Sequence, residues 1–272
     1  MCVVKLPRKY LLIGYLCLIV CSCNVSEYSP NQKFNRTSAT NVNATQIAKL
    51  PEKSQGTAFR VAVSGDTQRM YHEARLFVDH INSRNDIDFV ILNGDISDFG
   101  LLLEFDAINK IYSGLRVPFI AVIGNHDILA NGEDVYKRMF GPLNFTFNYA
   151  GVKFVCHDSN SREYNFNGTV PNLDWLSSNL QLEDGINNIV AFSHVPPTDN
   201  DFDQNLKTPY ETLMNKSPGV LASIHSHQHS DQVIYRQNDQ GVPFIITNAI
   251  VNRAYTIIDI QDAKLTAEAA SF

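Results

Sequence analysis

The chain has 272 residues, 44% apolar and 18% charged, an ordinary globular composition that excludes a disordered, collagen-like or polytopic membrane protein. That length suits one large domain or two small ones and lets roughly three quarters of the unfolded surface be buried without disulfide support. A net charge of −6, with no run of Lys or Arg in the body of the chain, disfavours nucleic acid as a bulk partner.

Lys5, Arg8 and Lys9 precede an apolar run of eleven residues, Tyr10 to Val20, that ends in Cys21, Ser22 and Cys23. This is the anatomy of a secretory signal. At about 1.5 Å per residue the run covers about half of a bilayer core, too little for a spanning helix. Val20-Cys21-Ser22-Cys23 resembles the lipobox of bacterial lipoproteins. The resemblance implies removal of residues 1–22, a lipid anchor on Cys23 and export to a bacterial cell envelope, with plain secretion as the alternative. The mature chain then carries 19 basic against 28 acidic residues, a balance of −9. Cys2, Cys17 and Cys21 lie in this leader and Cys23 at its edge, so Cys156 stands alone in the body and no disulfide forms there. Residues 23–56, rich in Asn, Ser, Thr and Lys, read as a flexible tether. Asn-x-Ser/Thr sequons at Asn24, Asn35, Asn43, Asn144, Asn167 and Asn215 would suit a glycosylated protein, but several are expected by chance in so Asn-rich a chain.

The folded domain is expected over 57–272. Short β-branched and aromatic runs at 58–63, 88–92 and 117–123 read as buried strands, each closed by a Gly-containing polar turn. Between them, 68–81 carries Met70, Ala74, Phe77, Val78 and Ile81 at helical spacing, and 101–112 reads as a second helix. After Pro142 come a hairpin at 145–149 and 153–157, a short helix at 172–180, and strands at 189–192, 220–224, 232–236, 244–247, 255–260 and 265–269. A βαβαβ start followed by so many strands predicts an α/β fold of two mixed β-sheets packed face to face, with helices on the outside.

Polar residues follow five of these strands: Ser64-Gly65-Asp66-Thr67-Gln68, Asn93-Gly94-Asp95-Ile96-Ser97-Asp98, Gly124-Asn125-His126-Asp127, Ser193-His194-Val195-Pro196 and His225-Ser226-His227. Loops leaving the carboxyl ends of such strands converge on one rim, so side chains about 160 residues apart can meet. Singly, each has an ordinary explanation: Asp66, Asp95 or Asp98 could cap a helix, His194 could close a turn, and His225 and His227 could line one strand face. Metal ligands at five successive strand ends make coincidence the poorer account.

These motifs resemble those of the calcineurin-like metallophosphoesterases, in particular the compact subgroup similar to cyclic-nucleotide phosphodiesterases and purple acid phosphatases. Gly124-Asn125-His126-Asp127 is the most specific element, and the likeness spans about 59–260. It implies a four-layer sandwich and two divalent metal ions, one on Asp66, Gln68, Asp95 and His227, the other on Asp95, Asn125, His194 and His225, with Asp95 bridging. It further implies hydrolysis of a phosphomonoester or phosphodiester by a bridging hydroxide, with His126 contacting the phosphoryl group or protonating the leaving oxygen and Asp127 orienting His126. Two charges on each ion against Asp66, Asp95 and hydroxide leave a net positive site for a small-molecule phosphate ester. Gln68 stands where the family usually has His; an oxygen donor there favours manganese or iron, with magnesium acceptable, over zinc. Ile224 replaces the usual Gly before His-x-His. His72, His80 and His157 are left outside the ligand set, and His229 is expected at most to line the mouth. Long stretches at 129–143, 160–171 and 196–218 are expected to be loops that set substrate choice. The rival reading is a non-catalytic, metal-containing lipoprotein that binds a phosphorylated ligand or partner.

Overall fold

The computed structural model describes residue 34 and residues 37–237 and 241–272. The expected signal peptide, Cys23 and the start of the expected tether lie outside the described residues. The chain runs α1 (Val42–Ile47), β1 (Phe59–Ser64), α2 (Tyr71–Ser83), β2 (Phe89–Asn93), α3 (Leu102–Tyr112), β3 (Phe119–Val122) and α4 (Gly132–Met139). It continues through β4 (Phe145–Tyr149), β5 (Val152–Cys156), α5 (Leu173–Asn179), β6 (Asn188–Phe192), α6 (Gln204–Lys216) and β7 (Val220–His225). Four strands close it: β8 (Val233–Arg236), β9 (Pro243–Ile246), β10 (Ala254–Gln261) and β11 (Lys264–Ser271).

One sheet has the order β11-β10-β1-β2-β3, with β1, β2 and β3 parallel and β10 antiparallel to both β1 and β11. The other has the order β4-β5-β6-β7-β9-β8, with a parallel centre flanked by antiparallel β4 and β8. Period-two alternation divides the side chains of each strand between layers. In β1, Val61 and Val63 face the second sheet while Ala62 faces the helices. Between the sheets, Phe154 stacks on Phe147 at 4.7 Å and meets Phe89 edge-on at 5.4 Å. Burying each such side chain contributes about 1.5–3 kcal/mol. On the outer face of the first sheet, α2 buries Ala74, Phe77, Val78 and Ile81, and α3 buries Leu102, Phe105, Ile108 and Tyr112. On the outer face of the second, Leu176 of α5 and Tyr210 and Met214 of α6 cover Val155, Ile189 and Ala191. Two mixed sheets with helices outside form four layers, as expected.

Three stretches differ from the sequence reading. Part of the expected tether is α1, whose Asn43 is buried and holds the edge strand β3 through both amide atoms: Nδ2 donates to the Ala121 carbonyl (2.9 Å) and Oδ1 accepts from the Ala121 N–H (2.8 Å). That amide is committed to the fold, so the sequon at Asn43 is closed to modification in the folded chain. The expected loop 129–143 contains α4, with Tyr136 and Met139 buried against the first sheet. The expected loop 196–218 contains α6, where Pro209 removes one helical N–H but the burial of Tyr210 and Met214 on the second sheet prevails.

Candidate metal centre

The strand-end loops of both sheets meet at one end of the sandwich. Close approach requires missing side chains at two points: a Cβ on Gly94 (φ +89°) would stand 2.3 Å from His194 Nδ1, and one on Gly65 would stand 2.5 Å from Ser226 Oγ. Left-handed backbone recurs at the polar residues themselves, with φ of 60° at Asp66, 54° at Asp95, 76° at His227 and 50° at His229. Such conformations cost about 1–3 kcal/mol each in a non-glycine residue, so the surrounding fold enforces them.

Asp66, after β1, is 2% exposed, and neither carboxylate oxygen accepts a well-aligned hydrogen bond. His229 Nε2 lies 3.0 Å from its Oδ1 and His194 Nε2 3.8 Å away. Asp95, after β2, receives the Gln68 amide on Oδ2 (2.5 Å) and the His126 backbone N–H on Oδ1 (3.0 Å), with His194 Nε2 3.3 Å from Oδ2. Asn125 Oδ1 lies 3.1 Å from His227 Nδ1, which is itself 3.3 Å from His194 Nε2. His194 Nδ1 donates to the Asn93 carbonyl (2.8 Å), which aims Nε2 inward.

Two donor groups result, Asp66 with Asp95 and His229, and Asp95 with His194 and His227; within each, the donor atoms all lie within 4.8 Å of one another. A third group, Asp199 with Asp201 and His227, borders the second at the rim. A buried carboxylate without hydrogen bonds, ringed by imidazoles, is what a divalent cation would satisfy. Burial alone would push His194 down, but Asp95 and Asp66 outweigh it and lift it to about 10. Burial likewise opposes ionisation of Asp95, and His194 overrides it to hold Asp95 below the usual carboxylate range. Burial, and then the charge of His194, keeps His227 below its ordinary value.

Of the residues expected from sequence, Asp66, Gln68, Asp95, Asn125, His194 and His227 come together, and His225 does not. His225 is the last residue of β7, is fully buried, and has Nδ1 engaged by Ser193 Oγ (3.0 Å) and Nε2 by Ser223 Oγ (2.9 Å) while stacking on Phe244. Its ring fills the outer core of the second sheet, and burial holds it well below its ordinary pKa. The residue missed is His229. The His-x-His pair at the centre is His227-Gln228-His229, two residues further on, with Ser226 as the small residue before it. The poor fit of Ile224 to a Gly position was the signal for that shift.

Asp127 also differs from expectation. Its carboxylate accepts from the backbone N–H groups of Ile96 (3.2 Å), Ser97 (2.7 Å) and Gly124 (2.9 Å) and from Ser97 Oγ (2.9 Å), clipping the loops after β2 and β3 together. Burial, then the charge of Asp95, pushes it up to about 7. His126 is oriented instead by Asp98: its Nδ1 lies 2.9 Å from the Asp98 carbonyl oxygen and 3.8 Å from Asp98 Oδ1, and Asp98 in turn pairs with Arg69 Nε at 3.1 Å. Neighbouring residues in the tight turn His126–Ile128 point their side chains in different directions, so Asp127 faces the core while His126 faces the opening.

A family model described as calcineurin-like phosphoesterase matches residues 59–231, well over half of the chain. No curated protein matches it. Among solved structures, the purple acid phosphatase PPD1 from yellow lupin (Lupinus luteus) seeds is similar with a TM-score of 0.60 at 13% identity, covering 81% of this chain and 52% of that one. PhoD is similar with a TM-score of 0.56 at 8% identity, covering 81% and 70%. At these identities the likeness is one of fold, and the chain spans about half the length of the lupin phosphatase. The family match over the loops that carry Asp66, Asp95, Asn125, His194 and His227 places the protein: this chain belongs to the calcineurin-like phosphoesterase family.

Proposed function

We infer that the protein is a metal-dependent phosphoesterase that hydrolyses a phosphomonoester or phosphodiester at a dinuclear site. The observation that carries this is the pair of donor groups sharing Asp95, with both oxygens of buried Asp66 left without hydrogen bonds. Asp66, Gln68, Asp95 and His229 would hold one divalent cation, and Asp95, Asn125, His194 and His227 the other. When bound, such a pair supplies charge neutralisation for phosphoryl oxygens and an acidified water.

The chain's own residues do the rest. The Asn93 carbonyl holds His194 with Nε2 inward. The Asp127 clip fixes the spacing of the loops that carry Asp95 and Asn125. His126, half-exposed and held at Nδ1 by the Asp98 carbonyl, leaves Nε2 free to hydrogen-bond a phosphoryl oxygen or, in the imidazolium form, to give its proton to the leaving oxygen. Membrane attachment through Cys23 in an exported protein, carried by the leader pattern, belongs to the same proposal; incorporation of a labelled fatty acid that persists in Cys23→Ser would overturn it.

Hydrolysis of p-nitrophenyl phosphate and bis-p-nitrophenyl phosphate by the manganese-loaded protein tests the reading. The expected result is a chelator-sensitive rate that falls at least ~100-fold in both Asp95→Asn and His126→Ala. A folded, metal-loaded wild type no faster than these variants on either ester would overturn it.

A further inference from the structure

We propose that Asn93 is a positioning residue that keeps the carboxylate half and the imidazole half of the centre in register; the proposal rests on the dinuclear reading above. β2 is apolar from Phe89 to Leu92 and ends in Asn93, which is fully buried. Its Nδ2 crosses to the other sheet and donates twice, to the Ser193 carbonyl (3.0 Å) and to Ser226 Oγ (3.0 Å). Its backbone carbonyl accepts from His194 Nδ1 (2.8 Å).

These contacts fall beside the ligands on every side. Asn93 is two residues from Asp95, Ser193 precedes His194, and Ser226 precedes His227. Ser226 is held further by its own N–H donating to the His194 carbonyl (2.9 Å) and by its Oγ against Thr247 Oγ1 (2.8 Å). One amide therefore links the loop that supplies Asp95 to the loops that supply His194 and His227. The Asp127 clip acts only between loops of the first sheet, and Asn160 Nδ2 to the Ile123 carbonyl, another cross-sheet bond near the site, is longer at 3.4 Å.

Stability alone does not account for an amide here. Asn93 Oδ1 accepts no hydrogen bond although it is buried, a desolvation cost that an apolar residue of similar volume would avoid. The cost is met by what Nδ2 holds in place. Groups that orient metal ligands through their neighbours affect metal affinity by about 10–100-fold when removed.

Asn93→Leu removes both the unpaired oxygen and the two donors while keeping the backbone carbonyl for His194. The test is manganese binding by calorimetry, with the exchange-coupled electron paramagnetic resonance signal of an adjacent ion pair as a second readout, alongside the thermal midpoint of the ion-free protein. The expected result is a wild type that binds two ions and shows the coupled signal. Asn93→Leu then keeps its ion-free midpoint, binds the second ion at least ~10-fold more weakly and loses the coupled signal at equal loading. Ser226→Ala, which removes one of the two acceptors, shifts the second affinity in the same direction by less and decides the matter if Asn93→Leu does not fold. Two bound ions in the wild type with unchanged affinities and coupling in the folded variants would overturn the role of Asn93 alone. A wild type that takes up fewer than two ions overturns the dinuclear reading and this role with it.

Discussion

The two sheets bring different chemistry to their common end. Of the residues gathered there, Asp66, Gln68, Asp95 and Asn125 come from loops after β1, β2 and β3 of one sheet, and His194, His227 and His229 from loops after β6 and β7 of the other. Their backs differ as well. On the oxygen side the carboxylate of Asp127 is buried and occupied by backbone N–H groups. Behind the imidazoles lie two more histidines, His157 and His225, packed in the core of the second sheet and joined through Tyr210 and Ser223. On that side, residue type alone does not separate a ligand from a core residue; position relative to the strand end does.

The sharpest way to break this comparison is to exchange the roles it assigns to His225 and His229. His229→Ala should lower kcat/KM at least ~100-fold and remove one bound ion while leaving the ion-free midpoint nearly unchanged. His225→Ala should keep both ions and cost about 2–3 kcal/mol of stability, because it empties a buried, doubly hydrogen-bonded position. Denaturant titration and metal stoichiometry on the two variants check this, and the reverse pattern would restore the sequence reading.

That exchange marks where the sequence was legible. The oxygen half could be read because each of its loops follows a parallel strand buried on both faces, which appears as a continuous apolar run with a Gly at its end, as in Phe89–Asn93 before Gly94. The strand expected at 58–63 and found at Phe59–Ser64 shows how closely such runs locate a loop. β7 has no Gly at its end, and it runs through His225, so a reading that starts the His-x-His pair at the strand end falls two residues early. Contacts made in three dimensions were illegible for another reason. The partners of Asp127 and His126 depend on side-chain directions within one turn, α1 buries an amide rather than an apolar stripe, and α6 forms across a proline because Tyr210 and Met214 have a sheet to cover.

Acid sharpens the contrast on the imidazole side. Burial holds His157 at about 3, against an ordinary 6.5, so the fold keeps it neutral while the unfolded chain takes up a proton below about 6.5. Its contribution is therefore complete above pH 6.5 and is lost as pH falls towards 3. Between pH 7 and pH 4.5 the stability advantage of the wild type over His157→Asn should shrink by about 2–3 kcal/mol. The difference matters because buried Asp127 and Asp158, raised to about 7 and about 6, titrate in the opposite sense and cancel between the two proteins. Urea midpoints at the two pH values decide it, and a constant advantage would mean that His157 is charged or solvated in the fold.

On the oxygen side the corresponding structural test is Asn43. Asn43→Ala leaves the buried N–H of Ala121 without a partner at the edge of β3, and its carbonyl with the Tyr136 hydroxyl (2.8 Å) alone, and should cost about 2 kcal/mol, with no change in the number of ions bound. Equal denaturant midpoints for the two proteins would return α1 to the status of a tether.

The smallest effect concerns Gln68, the one oxygen donor standing where an imidazole is usual. In the ion-free chain its Nε2 donates to Asp95 Oδ2, so its Oε1 must turn inward, giving up that hydrogen bond, before it can serve a cation. The amide is then a weak donor whose cost of turning is set against each ion bound beside Asp66. Gln68→His removes that cost and adds a softer nitrogen, so zinc should gain roughly tenfold over manganese at this position, about 1.4 kcal/mol. Competitive loading with both metals, followed by elemental analysis after dialysis, reads the ratio directly. If Gln68→His leaves the ratio unchanged, Gln68 acts on the centre only through its hydrogen bond to Asp95, and the first cation must be held by Asp66, Asp95 and His229 without it.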